Sequence, residues 1–453
     1  MANSPTEHPL ARPSPSSPIE VITSPFVRFA KMGAAGGIVL LVSTIAALVW
    51  SNSPWHDSYH QFFETDVTIG FGKLTLSENR HEWINDGLMS LFFFLVGLEI
   101  KREFLVGELS SLKRAAFPFM AAVGGVIVPA VLFLTIARDP SIQRGWATSI
   151  ATDVAFTLGL ITFFGSRVPT ALKVFVTALA IVDDIIAVLV IAIFYTAEIH
   201  YVSLAMGLAG VLVSALANWM GIRRPVIYAA IGVFVWWAVL NSGVHATIAG
   251  ILLAFTIPAK TTMEKSHFVK QGRWLLDQLE AAQPNSHDEH SILHTLEQNV
   301  ELVESPLYRI EHGLHPWISF LVMPLFALAN AGVNFSDTGT GAITHPLSLA
   351  IFFGLFVGKP VGIWLSSFLA AKTGIATPPA NLSWTQCFGA ASLCGIGFTM
   401  SLFVAELAFD DVSLLSISKV AILGASLAAG IGGSVLLVLS TGSATAQETQ
   451  DAA

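Results

Sequence analysis

Asp183 and Asp184 stand side by side in the apolar run 169–196, Lys359 lies at the centre of a second run, 345–371, and Asp153 falls within a third, 145–165. Each run is long enough to cross a bilayer, where one charged side chain costs on the order of 2.5 to 3.5 kcal/mol even on the mildest scale. Four such terms come to roughly 10 kcal/mol, and a chain that tolerates them uses them for an ion or proton path. Successive residues on a helix point roughly 100° apart, so the two aspartates cannot both meet one partner. One carboxylate can pair with Lys359 while the other faces a water-filled cavity and ligates a cation, helped by backbone carbonyls and Thr152. The plainer reading is a buried salt bridge with a spare aspartate, and it leaves the cost of the second carboxylate unexplained.

The elements that must hold these charges are membrane spans. Of 453 residues 53% are hydrophobic and only 12% charged, with a mean hydropathy of +0.67. A soluble domain of this length carries about twice that charged fraction, so the composition is that of an all-α polytopic membrane protein. Apolar runs fall at about 30–50, 83–106, 115–137, 143–164, 169–196, 201–219, 225–241, 243–258, 316–334, 346–371, 382–409 and 414–440. Twelve spans put both termini on one side, and the short seventh and eighth runs also read as a reentrant pair. With the N-terminus inside, seventeen Lys and Arg fall on the cytoplasmic side against four outside, namely Lys73, Arg80, Arg138 and Arg144, which orients the bundle with cytoplasmic termini. The net charge of −8 resides mostly in tails and loops, and no basic patch suggests nucleic acid. Cys387 and Cys394 are seven apart in one apolar run, about 10 Å along a helix and too far to bridge.

Outside the spans, the Pro/Ser-rich segment 1–25 and the segment 441–453 read as disordered tails flanking a transmembrane domain at 26–440. The outer segment 66–76 alternates apolar residues around Gly70 and Gly72 and reads as a β-hairpin. A lone hairpin is marginal in water, so pairing with a second copy in a homodimer would give it support. The inner loop 260–315 holds two helical patterns, 268–282 and 291–307, separated by Pro284, with Ile292, Leu293, Leu296, Val300 and Val303 on one face of the second. His290 and His294 there have the i, i+4 spacing of a metal pair, although solvated helix residues are the simpler reading.

Two phrases match. Residues 152–160 align without gaps on 394–402, pairing Phe156 with Phe398, Thr157 with Thr399 and Leu160 with Leu402. Seven spans of offset place the copies antiparallel across the membrane, which is the inverted-topology signature of secondary transporters. Thr152 and Asp153 in one phrase, Gly395 and Gly397 in the other, weaken a helix at mid-depth. A broken helix leaves dipole ends in the membrane, so Asp153 serves either as a compensating charge or in the ion path.

The phrases ATDVAF at 151, AIVDDIIAV at 180, SGVHATIAG at 242, EHGLHPW at 311, GKPVGI at 358 and GIGFTMS at 395 together resemble the NhaA-type bacterial sodium/proton antiporters across residues 26–440. The resemblance implies inverted repeats of spans three to five and ten to twelve, crossed interrupted spans four and eleven, and an outer β-hairpin at a dimer interface. It implies exchange of cytoplasmic Na⁺ or Li⁺ for external protons across the bacterial inner membrane, pH-regulated, electrogenic and without a cofactor. By the same resemblance Asp184 is the principal cation ligand, Asp183 its neighbour and the proton-carrying partner of Lys359, and Asp153 and Lys359 compensate the helix breaks. A pH-response region falls on Glu99, Arg102, Glu103, Glu311, His312 and His315, with His245 also linked to pH response. The N-terminal tail and the long loop 260–315 depart from the family pattern, and that loop abuts the implied sensor.

Spacing alone reads Glu99, Lys101, Arg102 and Glu103 as an ordinary helix-end charge cluster and His245 as an interface histidine. Two other classes compete. Intramembrane aspartyl proteases also bury two aspartates, but they need a Gly-x-Gly-Asp phrase, and residues 395–398 have no aspartate. An ion channel needs a carbonyl filter that no loop here offers.

Overall fold

The computed structural model describes residues 35–71, 74–196, 199–261, 263–283, 286–335, 339, 341–379 and 382–451; the side chains of 71, 74, 166 and 441–451 are not described. The segment 1–25 lies outside the described residues.

Helix α1 (Ala35–Ser51) bends by 114° into α2 (His56–Glu64). Strands β1 (Asp66–Phe71) and β2 (Leu74–Asn79) pair antiparallel with Thr68 opposite Ser77 and Ile69 opposite Leu76. A capping box between Asn79 and Glu82 then starts α3 (Arg80–Val106), which is π-helical over Trp83–Leu88. Next come α4 (Leu112–Ile136), a short helical stretch Pro140–Gln143 running into 3₁₀ turns at Arg144–Ser149, a non-helical break, and α5 (Val154–Phe163). Helices α6 (Thr170–Phe194), α7 (Tyr201–Trp219), α8 (Pro225–Leu240) and α9 (Thr247–Thr256) follow. The inner loop forms α10 (Lys265–Ala281) and α11 (His287–Val303), packed on each other. The chain ends with α12 (Pro306–Asn330), α13 (Pro346–Lys372), α14 (Trp384–Leu393), a second break, α15 (Phe398–Ala408) and α16 (Val412–Asp451).

Among the described residues eight helices are long and apolar enough to cross a membrane, or up to ten if each bent pair is one span; α8 and α9 are shorter apolar helices. The chain is a multi-pass membrane protein.

Helix contacts fix where the site forms. Helices α4 and α13 touch backbone to backbone: a methyl at Gly362 would stand 2.2 Å from the Gly124 carbonyl oxygen, and one at Gly358 2.8 Å from Pro129 Cα. Small residues allow this approach, which apolar side chains would forbid. At another face, a methyl at Gly250 on α9 would meet the Ser90 carbonyl oxygen of α3 at 2.4 Å.

Several boundaries differ from the sequence reading. Helix α12 starts at Pro306, not near 316, because Ser305 accepts the Tyr308 N–H as N-cap and Pro306 takes the first helical position. The second loop helix accordingly spans His287–Val303 in place of 291–307, capped by Ser286. Its inward stripe includes the buried Asn299, while Leu293 and Val300 are exposed. Helix α16 runs on to Asp451, and the segment after Gly442 has no proline or glycine.

Candidate functional site

The two breaks meet. At the first, Thr152 Oγ1 donates to the Cys394 carbonyl at 2.9 Å and the Asp153 N–H to the Ile396 carbonyl at 2.6 Å. Thr157 Oγ1 reaches the Leu393 carbonyl at 3.1 Å, and Ser401 Oγ the Thr148 carbonyl at 2.7 Å. Unwound backbone inside a membrane must be satisfied by protein, and each break here supplies partners for the other.

Asp153 is 1% exposed and caps two helices. Its Oδ1 accepts from the Phe156 N–H at 3.1 Å as N-cap of α5, and its Oδ2 accepts the N–H (3.1 Å) and hydroxyl (2.5 Å) of Thr399 in the first turn of α15. A carboxylate at two helix N-termini opposes two positive dipole ends. In the sequence Thr399 is marked only as the counterpart of Thr157; its bonds to Asp153 depend on where α15 begins.

Lys359 follows a π-helical turn, Gly354–Gly358, in α13 and is wholly buried. Its Nζ lies 2.5 Å from Asp183 Oδ2 and also donates to the Ile150 carbonyl, just past the C-terminal end of the 3₁₀ turns. The ammonium therefore opposes a negative helix end and pairs with a carboxylate at once. Asp184, 6% exposed, has no hydrogen-bond or ion-pair partner among the described residues. Asp183, Asp184, Asp153, Thr152 and Lys359 thus gather where the breaks, α6 and α13 meet. Both cysteines are free, and Cys394 supplies its carbonyl to this region.

The residues of the expected pH-response region divide. Arg102 binds Glu311 at 2.7 Å and Glu103 at 3.4 Å, joining the end of α3 to α12, and Glu103 also accepts the Glu108 N–H at 2.9 Å. Glu311 Oε2 is buried and has no hydrogen-bond partner among the described residues. Glu99 is half-buried on α3, one turn before Glu103. His312 stacks on Tyr308 with ring centroids 4.0 Å apart, and His315 is exposed. His245 sits elsewhere, between α8 and α9, with Nε2 2.7 Å from the Tyr195 carbonyl; the Tyr195 hydroxyl donates to the Arg144 carbonyl at the head of the 3₁₀ turns. Lys101, read as part of a charge cluster, instead caps the end of α9, donating to the carbonyls of Phe255 (2.7 Å) and Ile257 (2.5 Å). Among the described residues no cluster of three or more His, Cys, Asp or Glu could hold a metal ion.

A family model described as Na+/H+ antiporter 1 matches residues 27–437. The chain belongs to this family. Relatives named Na(+)/H(+) antiporter NhaA agree with it over nearly their whole length. The protein of that name from Koribacter versatilis is 58% identical over 427 residues, covering 94% of each chain. Those from Escherichia coli O139:H28 (42% over 410 residues, 90% of this chain and 96% of the relative) and Yersinia enterocolitica (40% over 419 residues, 92% and 97%) are also similar. The Na+/H+ antiporter 1 family is one of transporters, not enzymes, which sets the protease reading aside.

Proposed function

We propose that this chain exports cytoplasmic Na⁺ or Li⁺ in exchange for external protons by alternating access at Asp184 and Asp183. The observation that carries this reading is the asymmetry of the two aspartates: Asp183 is neutralised by Lys359 at 2.5 Å, whereas the buried Asp184 has no partner among the described residues. A partnerless carboxylate at membrane depth is costly unless a cation or a proton joins it. Asp184 is the principal cation ligand, with Asp183, Thr152 and carbonyls of the breaks completing the oxygen shell. Lys359 and a proton compete for Asp183. Asp153 compensates helix ends and takes no part in carrying the ion. The passing Na⁺ is cargo, and no cofactor is required.

The finer architecture belongs to the same proposal. Counting α8 and α9 as spans gives twelve, with spans three to five and ten to twelve as inverted repeats. Support comes from contacts between residues matched by sequence: the rings of Phe156 and Phe398 meet at 5.2 Å, and Thr152 bonds the Cys394 carbonyl. The protein sits in the bacterial inner membrane with cytoplasmic termini and an outer hairpin. Residues 26–440 form the transport domain, with 260–315 inserted on the cytoplasmic side. Homodimers form through 66–76, supported by Ile69, which is 59% exposed. Glu99, Arg102, Glu103, Glu311, His312, His315 and His245 set the pH response, and more protons than cations per cycle make exchange electrogenic.

Sodium or lithium added to membrane vesicles with an acid interior, prepared from cells making this protein, should collapse the pH gradient. A gradient that persists in vesicles shown to contain the folded protein overturns the proposal.

A further inference from the structure

A second buried polar constellation lies away from the two breaks. His81, in the first turn of α3, places Nε2 3.0 Å from Asn330 Oδ1 at the end of α12. Asn330 is wholly buried, and its Nδ2 donates to the Phe326 carbonyl (3.0 Å) and to Asn85 Oδ1 (2.9 Å). Those bonds settle the orientation of each amide. Because a backbone carbonyl can only accept, Asn330 must turn its oxygen to His81, so His81 Nε2 is the donor. Because Asn85 accepts from Asn330, it turns its Nδ2 to His81 Nδ1, at 3.4 Å. The three side chains close a ring of hydrogen bonds that only neutral imidazole, protonated at Nε2, can complete.

Protonation adds a hydrogen at Nδ1, opposite an Asn85 N–H, and two donors then face each other. The alternative partner is at hand: Glu406 on α15 holds Oε1 3.6 Å from His81 Nε2 and 2.7 Å from Lys419 Nζ on α16. The other charged neighbour is Glu82, occupied in the capping box with Asn79; Tyr59 on α2, near Glu406, commits its hydroxyl to the carbonyls of Leu328 and Ala329. Asn330 and Asn85 are uncharged. The His81 side chain is 26% exposed, so protons can reach it from solvent.

We infer that His81 is a proton-operated switch that ties α3 to α12 through Asn330 and Asn85 when neutral, and ties α3 to α15 through Glu406 when protonated. Glu406 lies seven residues beyond Thr399, about 10 Å further along the same face of α15. Protonation therefore grips the far end of the helix whose first turn holds Asp153. This inference goes beyond the exchange reaction and rests on the proposed function only for placing His81 on the outer side; its test needs no transport.

Double-mutant cycles in the Tm of the purified full-length protein read both arrangements. The measurements are made at about pH 8.5 and about pH 5.5, either side of the free imidazole value of about 6.5. Tm shifts for His81→Gln and Asn330→Ser should be non-additive at the alkaline pH and add at the acid one. Those for His81→Gln and Glu406→Gln should do the reverse. Couplings that are the same at both pH values, or a Glu406 coupling that never appears, overturn the switch. If the Asn330 or Glu406 variants do not fold, Asn85→Asp serves instead. A carboxylate against Nδ1 should move the acid-dependent change in Tm toward alkaline pH by about one unit or more, and an unmoved profile overturns the inference equally.

Discussion

Thr399 gives both its backbone N–H and its hydroxyl to one carboxylate oxygen of Asp153, while the other oxygen of Asp153 caps α5. One side chain thus holds together the starts of two half-helices, joining residues 246 positions apart in the sequence. The aspartate that looked equally suited to ion transport has no oxygen left without a donor.

Asp153→Asn should therefore act on architecture before chemistry. The amide nitrogen would face a donor where an oxygen now accepts, at a cost of about 1 to 3 kcal/mol for the unsatisfied buried groups. We expect a lower Tm together with reduced exchange. A variant of unchanged Tm that has lost Na⁺ binding in calorimetry would return Asp153 to the ion path.

Asp184→Asn should abolish exchange and leave folding intact, because it deletes the ligand and also relieves the cost of a buried partnerless charge. Tm should hold or rise. Transport at the original rate by the well-folded variant would sink the assignment of Asp184.

Lys359→Ala should destabilise the protein by about 3 to 5 kcal/mol, since Asp183 then stays buried without its counter-charge. Adding Asp183→Leu should recover much of that loss, as replacing both members of a buried pair is far milder than removing one. Thermal unfolding of the single and double variants distinguishes this from a pair of no consequence, in which the single variant would unfold at the original temperature.

The hairpin has its own pH dependence. Glu78 on β2 pairs with Val67, and the hydrogen bond its protonated carboxyl donates to the neighbouring Glu82, followed by burial and the charges of Glu82, Asp86 and Asp66, pushes its pKa from 4.5 up to about 7. The folded hairpin thus binds a proton more tightly than the unfolded chain. Its contribution is complete below about pH 4.5 and disappears as pH rises through about 7. Hydrogen-exchange protection of 66–79 should fall across that window, and Glu78→Gln should remove the dependence. An unchanged profile in the variant would assign the proton to another group.

Much of this was legible in the chain because charge in an apolar run is conspicuous. Asp183, Asp184 and Lys359 declare themselves by cost alone, and Gly395 and Gly397 mark the second break by their poor helix propensity. The partners of Asp153 were harder to read, since Thr399 contributes a backbone N–H whose direction depends on where α15 begins. The start of α12 was missed because its first turns carry Arg309, Glu311 and His312, which fail a test of apolarity although Ser305-Pro306 is a helix-start signal. The His81 constellation joins residues up to 338 positions apart, and neither the asparagines nor the histidine is unusual in its own segment. Glu406, a lone acid in an apolar run, was the signal that could have found it.

The backbone contact between Gly124 and Gly362 divides the machine into what can slide and what cannot. Two helices seated this closely have no side-chain cushion over which to shift, so Lys359 rides with α4 as cargo on a single rigid carriage. If transport parts Lys359 from Asp183, we expect α6 to travel relative to that carriage. A cysteine cross-link joining α4 to α13 should be silent in exchange assays, whereas one joining α6 to α13 should arrest turnover, and reduction of the bridge should restart it.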